Sequence, residues 1–193
     1  MRPGIKVLIT CAVFLMLYLC AHHINGASDT ETASRVMNDR ELLAPGVGAN
    51  MFLLGEHFQE AFARTGKPGR TARFAEARNI FGDVLGIKTD LVVWFDRLHH
   101  YPGLACTVFI NGDRVVAVSG TNGNRTTPDG VTLEKGISYF ILQYGNRDCE
   151  VIVSEKNRLY IYRSLGIALA DDGNNGSIDL YIVFIPQPPA VRR

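Results

Sequence analysis

The sequence is poor in the residues on which dedicated chemistry depends. It has four cysteines, one tryptophan and five histidines among 193 residues. No Cys-x-x-Cys, His-x-x-x-His or His-Glu-x-x-His spacing occurs, which argues against a metal site. Gly-x-Ser-x-Gly is missing as well, so the strand-to-helix elbow of the common serine hydrolases is not encoded. Neither sign of charge prevails, with 20 Lys and Arg against 19 Asp and Glu, and no global attraction to nucleic acid or anionic lipid follows. There is no internal repeat, heptad array or low-complexity tract, which excludes solenoids and propellers. What is present, 47% hydrophobic and 20% charged residues, is the balance of an ordinary globular domain and excludes disorder. No cofactor is implied.

The one long apolar run, Val7 to Ala21, follows Arg2 and Lys6 and ends before His22 and His23. At 15 residues it falls short of the roughly 20 needed to cross a bilayer. Its charged start and the small residues after it read as a signal peptide over residues 1–26, cleaved after Gly26, which makes the protein secreted with no membrane span left. Cys20 follows Leu19, so no lipidation box is formed. The two remaining cysteines, Cys106 and Cys149, then read as one disulfide, closing a loop of about 43 residues and stabilising by on the order of 3–4 kcal/mol. Asn124-Arg125-Thr126 and Asn175-Gly176-Ser177 are glycosylation sequons in turn-rich stretches.

Residues 27–50 are polar and small with a Pro45-Gly46 break, and read as a flexible lead or pro-segment. Residues 51–193 read as a single domain. Met51 to Arg64 places Met51, Leu54, Phe58, Ala61 and Phe62 at helical spacing, and Thr71 to Val84 does the same with Phe74, Ala77, Ile80 and Phe81. From Leu91 onward, short runs of Val, Ile, Tyr and Phe separated by turns predict strands. Asn111-Gly112 between Cys106–Ile110 and Asp113–Ser119 predicts a hairpin with a type I′ turn. Val131 to Tyr144 fits a helix better than a strand. Strands are expected at Glu150 to Ser154, Arg158 to Ala168 and Ile178 to Ile185. The predicted fold is α+β, with N-terminal helices packed on a mostly antiparallel sheet of five to six strands.

Three short segments resemble parts of known secreted families. Gly103-Leu104-Ala105-Cys106-Thr107 resembles the cysteine segment of glutamine-deamidating toxins, without the histidine such chemistry requires. Val115 to Gly120, Glu134 and Val151 to Glu155 follow in an order similar to nucleobase-deaminase toxins, without their zinc ligands. Arg40-Glu41-Leu42-Leu43 resembles the host-entry motif of oomycete effectors, without its second arginine and acidic tract. No family is assigned on these grounds.

Beyond the leader only His57, His99 and His100 remain as general bases. His57 reads as a helix residue against apolar neighbours, whereas His99 and His100 precede a Tyr101-Pro102-Gly103 turn, where functional groups collect. A hydrolase or nuclease would pair one of them with Glu150 or Glu155 and take phosphate on Arg158 or Arg163. Arg64, Lys67, Arg70, Arg73 and Arg78 read as a solvated charged face. Trp94 and Arg97 beside the histidine turn, and a row of Tyr160 and Tyr162 two residues apart on one strand face, are the residues for a binding surface. The favoured reading is a secreted, disulfide-stabilised interaction protein: an effector or virulence toxin, or an extracellular binding module, acting on a protein partner. The alternative is a small secreted hydrolase or nuclease using a His/Glu pair.

Overall fold

The computed structural model describes residues 29–121, 124–154 and 157–188. The signal peptide expected over residues 1–26 and the candidate Glu155 lie outside them.

The main sheet is built from Arg70 onward, most of its strands being rich in apolar residues. β4 (Arg70–Asn79), β5 (Trp94–Tyr101), β6 (Cys106–Asn111) and β7 (Arg114–Thr121) form one meander, and β8 (Cys149–Val153), β9 (Asn157–Tyr162), β10 (Ile167–Asp172) and β11 (Leu180–Phe184) form another. The two join where β11 pairs antiparallel with β7, giving the order β4-β5-β6-β7-β11-β10-β9-β8. A small second sheet holds β1 (Leu43–Ala44), β2 (Gly48–Ala49) and β3 (Phe52–Leu53). Helical segments are α1 over residues 29–38, α2 (Phe58–Thr65) and α3 (Gly136–Tyr144), the last lying between the two meanders. The fold is thus α+β with a large antiparallel sheet, but the sheet has eight strands and the helices do not form an N-terminal layer.

The additional strands have identifiable causes. Thr71 to Val84 carries helical spacing, yet Arg70–Asn79 pairs with β5, because a neighbouring strand with open hydrogen-bonding groups outweighs a weak local preference. The register slips between Arg73 and Arg78 opposite Arg97 and Phe95, forming a wide bulge. Phe74 still meets Phe95 edge-on at 5.5 Å. The apolar pair Ile80 and Phe81 is buried in a π turn (Ile80–Val84). The expected strand from Arg158 to Ala168 is divided into β9 and β10 by Gly166, whose φ of 71° permits the reversal. In the β6–β7 hairpin Asn111 pairs with Arg114, leaving Gly112 and Asp113 as the central residues. Only Gly112 has positive φ (63°), the requirement of type II′ in place of the expected type I′.

Both faces of the sheet are covered. One carries Tyr101, Val108, Val118, Tyr160, Tyr162 and Leu169 against Phe52, Ala61, Leu133 and Phe140 from the small sheet and the helices. The other carries Phe95, Phe109, Ile161, Ile182 and Phe184 against Ile80, Phe81, Leu91 and Val93. Asn79 fixes this second cover: its side chain accepts from the Val93 amide at 3.0 Å and donates to the Leu91 carbonyl at 3.1 Å. Within the stretch 27–50, Leu43 and Ala49 join the core under the main sheet, Val36, Leu42 and Ala44 form a small cluster of their own with Val47 and Leu53, and the buried Asn50 amide is satisfied by hydrogen bonds to Leu104 and Tyr181.

The expected disulfide is not formed. Cys106 on β6 and Cys149 on β8 are free thiols, third and eighth in strand order. Five strand spacings amount to roughly 24 Å, against the 4.4–6.8 Å between Cα atoms that a disulfide spans. An even cysteine count says nothing of sheet order, which the β7–β11 pairing sets. Burial pushes the Cys106 thiol up to about 12, with Arg125 opposing. The Cys149 thiol is raised too, again chiefly by burial.

Two outcomes are expected. Cys106 and Cys149 should both alkylate in denaturant without reductant, with Cys106 protected in the native protein, and a Cys106–Cys149 linked peptide by mass spectrometry would refute this arrangement. His99, 6% exposed, stacks on Phe58 at 4.3 Å. Its pKa is lowered from 6.5 to about 4 by burial first and then by Arg97 and Arg73. The unfolded chain therefore binds a proton that the folded one refuses. The stability this group contributes is whole above pH 6.5 and lost as pH falls toward 4. The urea midpoint should drop between pH 7 and pH 4.5 by less in His99→Phe than in the wild type, and equal drops would show that His99 does not titrate this way.

Candidate functional site

A cleft of about 540 Å³ opens on the face that carries Phe95 and Phe184, within the usual range for a ligand site. Its floor is one row of residues running across five neighbouring strands. Ile152 of β8 faces Leu159, Leu159 faces Ala170, Ala170 faces Leu180, and Leu180 faces Thr121 of β7. Cross-strand register alone aligns these side chains, because directly opposed residues share a face. Leu85, Gly86 and Ile87 wall the cleft where the chain leaves the π turn, and Gly86 turns there with φ of 67°. The rim is polar, with Ser154, Asn157, Arg158, Asp172 and Asp179. Asp179 is engaged, accepting from the Asp172 amide at 2.7 Å. An apolar floor and a charged mouth suit an amphipathic occupant.

The cleft reaches the sheet's last strand, and the two edges of the sheet differ. On β4, Arg70, Arg73, Glu76 and Arg78 are exposed and the bulge interrupts the ladder, two devices that block pairing by another chain. On β8 neither device is present. Among the described residues it pairs only with β9, and Val151 and Val153 are 48% and 63% exposed. Its single charged residue, Glu150, is occupied by Arg163, whose Nε and Nη2 donate to it at 3.1 and 2.7 Å. The same buried guanidinium donates to Thr89 at 3.1 Å and to Asp90, tying the loop after the π turn to the β8 side of the sheet.

The residues singled out from the sequence fall elsewhere. His99 has Nδ1 2.8 Å from the Thr71 hydroxyl, and its Nε2 is buried without a hydrogen-bond partner among the described residues. His100 has Nδ1 3.2 Å from the Thr107 hydroxyl. Both lie on the second strand and Glu150 on the eighth, six spacings or roughly 29 Å apart, so the structure does not bring a His99 or His100 base to the Glu150 carboxylate. His57 is half-buried and its Nδ1 lies 2.8 Å from the Asp113 carboxylate. Trp94 is half-exposed at the start of β5. Arg97 holds the β6–β7 turn by donating to the Gly112 carbonyl at 2.7 Å. Tyr160 and Tyr162 lie in the core and not on an open surface, because helix α3 and its neighbours cover that face: Phe140 meets the Tyr162 ring at 5.4 Å. Asn124 and Asn175 are exposed, although the Asn175 side-chain oxygen already accepts from the Ser177 amide at 2.8 Å. Among the described residues no group of three or more His, Cys, Asp or Glu is placed to hold a metal, and no helix is long and apolar enough to cross a membrane.

Sequence reasoning overlooked the cleft residues, since the floor is assembled from one residue per strand. The uncharged texture of residues 151–154 was the available signal for an unblocked edge.

No protein-family profile matches the chain, and no curated protein matches it. Among solved structures, it is similar to the crystal structure of a DUF4309 family protein, YjgB, from Bacillus subtilis subsp. subtilis strain 168, at a TM-score of 0.39 and 14% identity, over 80% of this chain and 95% of that one.

Proposed function

We propose that this is an exported interaction protein that acts by strand addition, with β8 taking an extended, apolar segment of a partner protein as a ninth strand. The contrast between the two edges carries this reading. A row of unpaired backbone N–H and C=O groups invites pairing, and proteins that avoid it place charges and bulges there; β4 has both, whereas β8 has no bulge and its one charge, Glu150, is paired with Arg163. Backbone hydrogen bonds supply affinity in such complexes, and pockets for alternate side chains supply selectivity. Here the added strand extends the cleft floor past Ile152, while its opposite side chains meet Val151 and Val153. An apolar partner segment fits, because the edge presents valines and its one carboxylate is neutralised by Arg163. In this reading the protein is an effector, toxin or extracellular binding module that needs no catalytic group and is held together by its core.

The test is selection of displayed octapeptides against the full chain, followed by titration of synthetic binders. Val151→Lys and Val153→Lys change exposed positions, so folding should hold within about 0.5 kcal/mol, while affinity should fall about tenfold. N-methylation of alternate peptide amides should weaken binding by a similar factor, which is the signature of a backbone ladder. Leu142→Lys, on the exposed side of α3, should change nothing. Binders indifferent to the two valine variants would overturn the proposal, as would a concentration-dependent dimer abolished by Val153→Lys, which would make a second copy the occupant.

A further inference from the structure

On the opposite face, at the far end of β5, lies a recess of about 190 Å³. Three parts of the chain meet there: Arg40 ahead of β1, Thr65 and Lys67 at the end of α2, and Tyr101 with the 3-10 turn Pro102–Leu104 that follows it. No acidic residue lines it. Arg40 and Lys67 are exposed and neither joins an ion pair among the described residues.

The wall behind the recess adds to its positive character. Arg125 is 8% exposed and meets no carboxylate there. It donates to the Arg40 carbonyl and, at 3.1 Å, to the Leu104 carbonyl, while its Nε makes no hydrogen bond. Leu104 also accepts from Asn50 at 2.8 Å, so both lone pairs of that oxygen are used. The Arg40 and Leu104 carbonyls are thus engaged. The floor holds a further donor: Tyr101 is 3% exposed and its hydroxyl makes no hydrogen bond among the described residues. Thr65 lies beside it without reaching hydrogen-bond geometry, its own hydroxyl being given to the Ala61 carbonyl at 2.8 Å. A buried cation and a buried hydroxyl, each without a full set of partners, are costly, and an anion held in front of them offsets part of that cost.

We infer that this recess is a binding site for one tetrahedral oxyanion, the phosphate of orthophosphate or of a small soluble phosphomonoester. Arg40 and Lys67 supply charge at the mouth, while the Tyr101 hydroxyl below and Arg125 behind, both closed to solvent, add their dipole and charge to the field. An arginine fork opposite a lysine suits phosphate oxygens, the first by paired hydrogen bonds and the second as a point charge. The volume admits the anion and little of what carries it, so the organic part of an ester lies in solvent over Gly103. The site is on the other face from the β8 edge and does not depend on the strand-addition reading.

Titration calorimetry of the full chain with orthophosphate and, separately, with glycerol 3-phosphate tests the inference, with sodium acetate and sodium chloride at equal ionic strength as controls. Saturable binding of one phosphate per chain is expected, with each of Arg40→Gln and Lys67→Gln weakening it about tenfold. Tyr101→Phe keeps the ring that packs 5.0 Å from Phe52, so the fold is retained while phosphate affinity falls. A purely structural tyrosine would shift the melting temperature and leave that affinity alone. Equal binding of the two phosphate compounds assigns the site to the free anion, and tighter binding of the ester assigns it to esters. Heats reproduced by chloride or acetate would overturn the inference, as would unchanged phosphate affinity in the Arg40→Gln, Lys67→Gln double variant.

Discussion

The pairing of β7 with β11 is the contact on which the rest of this structure depends. It joins two meanders that are each local in sequence, through a ladder from Leu180 opposite Thr121 to Phe184 opposite Ala117. Hairpins form from near neighbours at little entropic cost, whereas this ladder closes a loop of more than fifty residues and must be repaid by burial on both faces. Gly120 shows how tightly it is drawn. A Cβ at that position would stand 2.5 Å from the hydroxyl oxygen of Tyr181 across the ladder. The same hydroxyl donates to Asn50, and Asn50 donates to Leu104, so the central pairing also anchors the small N-terminal sheet.

From that seam the two candidate surfaces are set apart. Antiparallel order places β4 at one end with its bulge and arginines, and β8 at the other with its exposed valines. The cleft lies on the β8 side because the loop from Ile80 to Val93 covers that face only in part, pinned by Asn79 at one end and by Arg163 at the other. The recess at Tyr101 lies on the other face, where the chain passes from α2 into β4 and from β5 into β6. Its positive character comes from Arg40 and Lys67 in its lining and from a buried arginine behind them that donates to two carbonyls and pairs with no carboxylate, an arrangement of tertiary contacts and not of composition. The chain as a whole is nearly balanced in charge.

Much of the strand pattern was legible because period-two alternation is a local property. The β6–β7 hairpin, the strand at 149–153 and the helical character of 136–144 follow from residue order. β4 was not legible, since Phe74, Ala77, Ile80 and Phe81 sit at spacings that a helix also satisfies; only the open edge of β5 decides between the two. The tyrosines of β9 read as an exposed row on the assumption of a one-sided sheet. Cover from α3 and the small sheet buries them.

By itself the sequence determined the α+β class of the fold and the positions of several turns, because each depends on side chains close together along the chain. Tertiary structure decided the rest. Sheet order separated Cys106 from Cys149 and the histidines from Glu150 by several strand spacings, and it aligned Ile152, Leu159, Ala170 and Leu180 into one floor. Strand order is chosen by long-range pairing and two-sided burial, whose energies no short window of sequence contains. That is why the residues most suited to chemistry by type were dispersed, while residues unremarkable in sequence were gathered into the cleft.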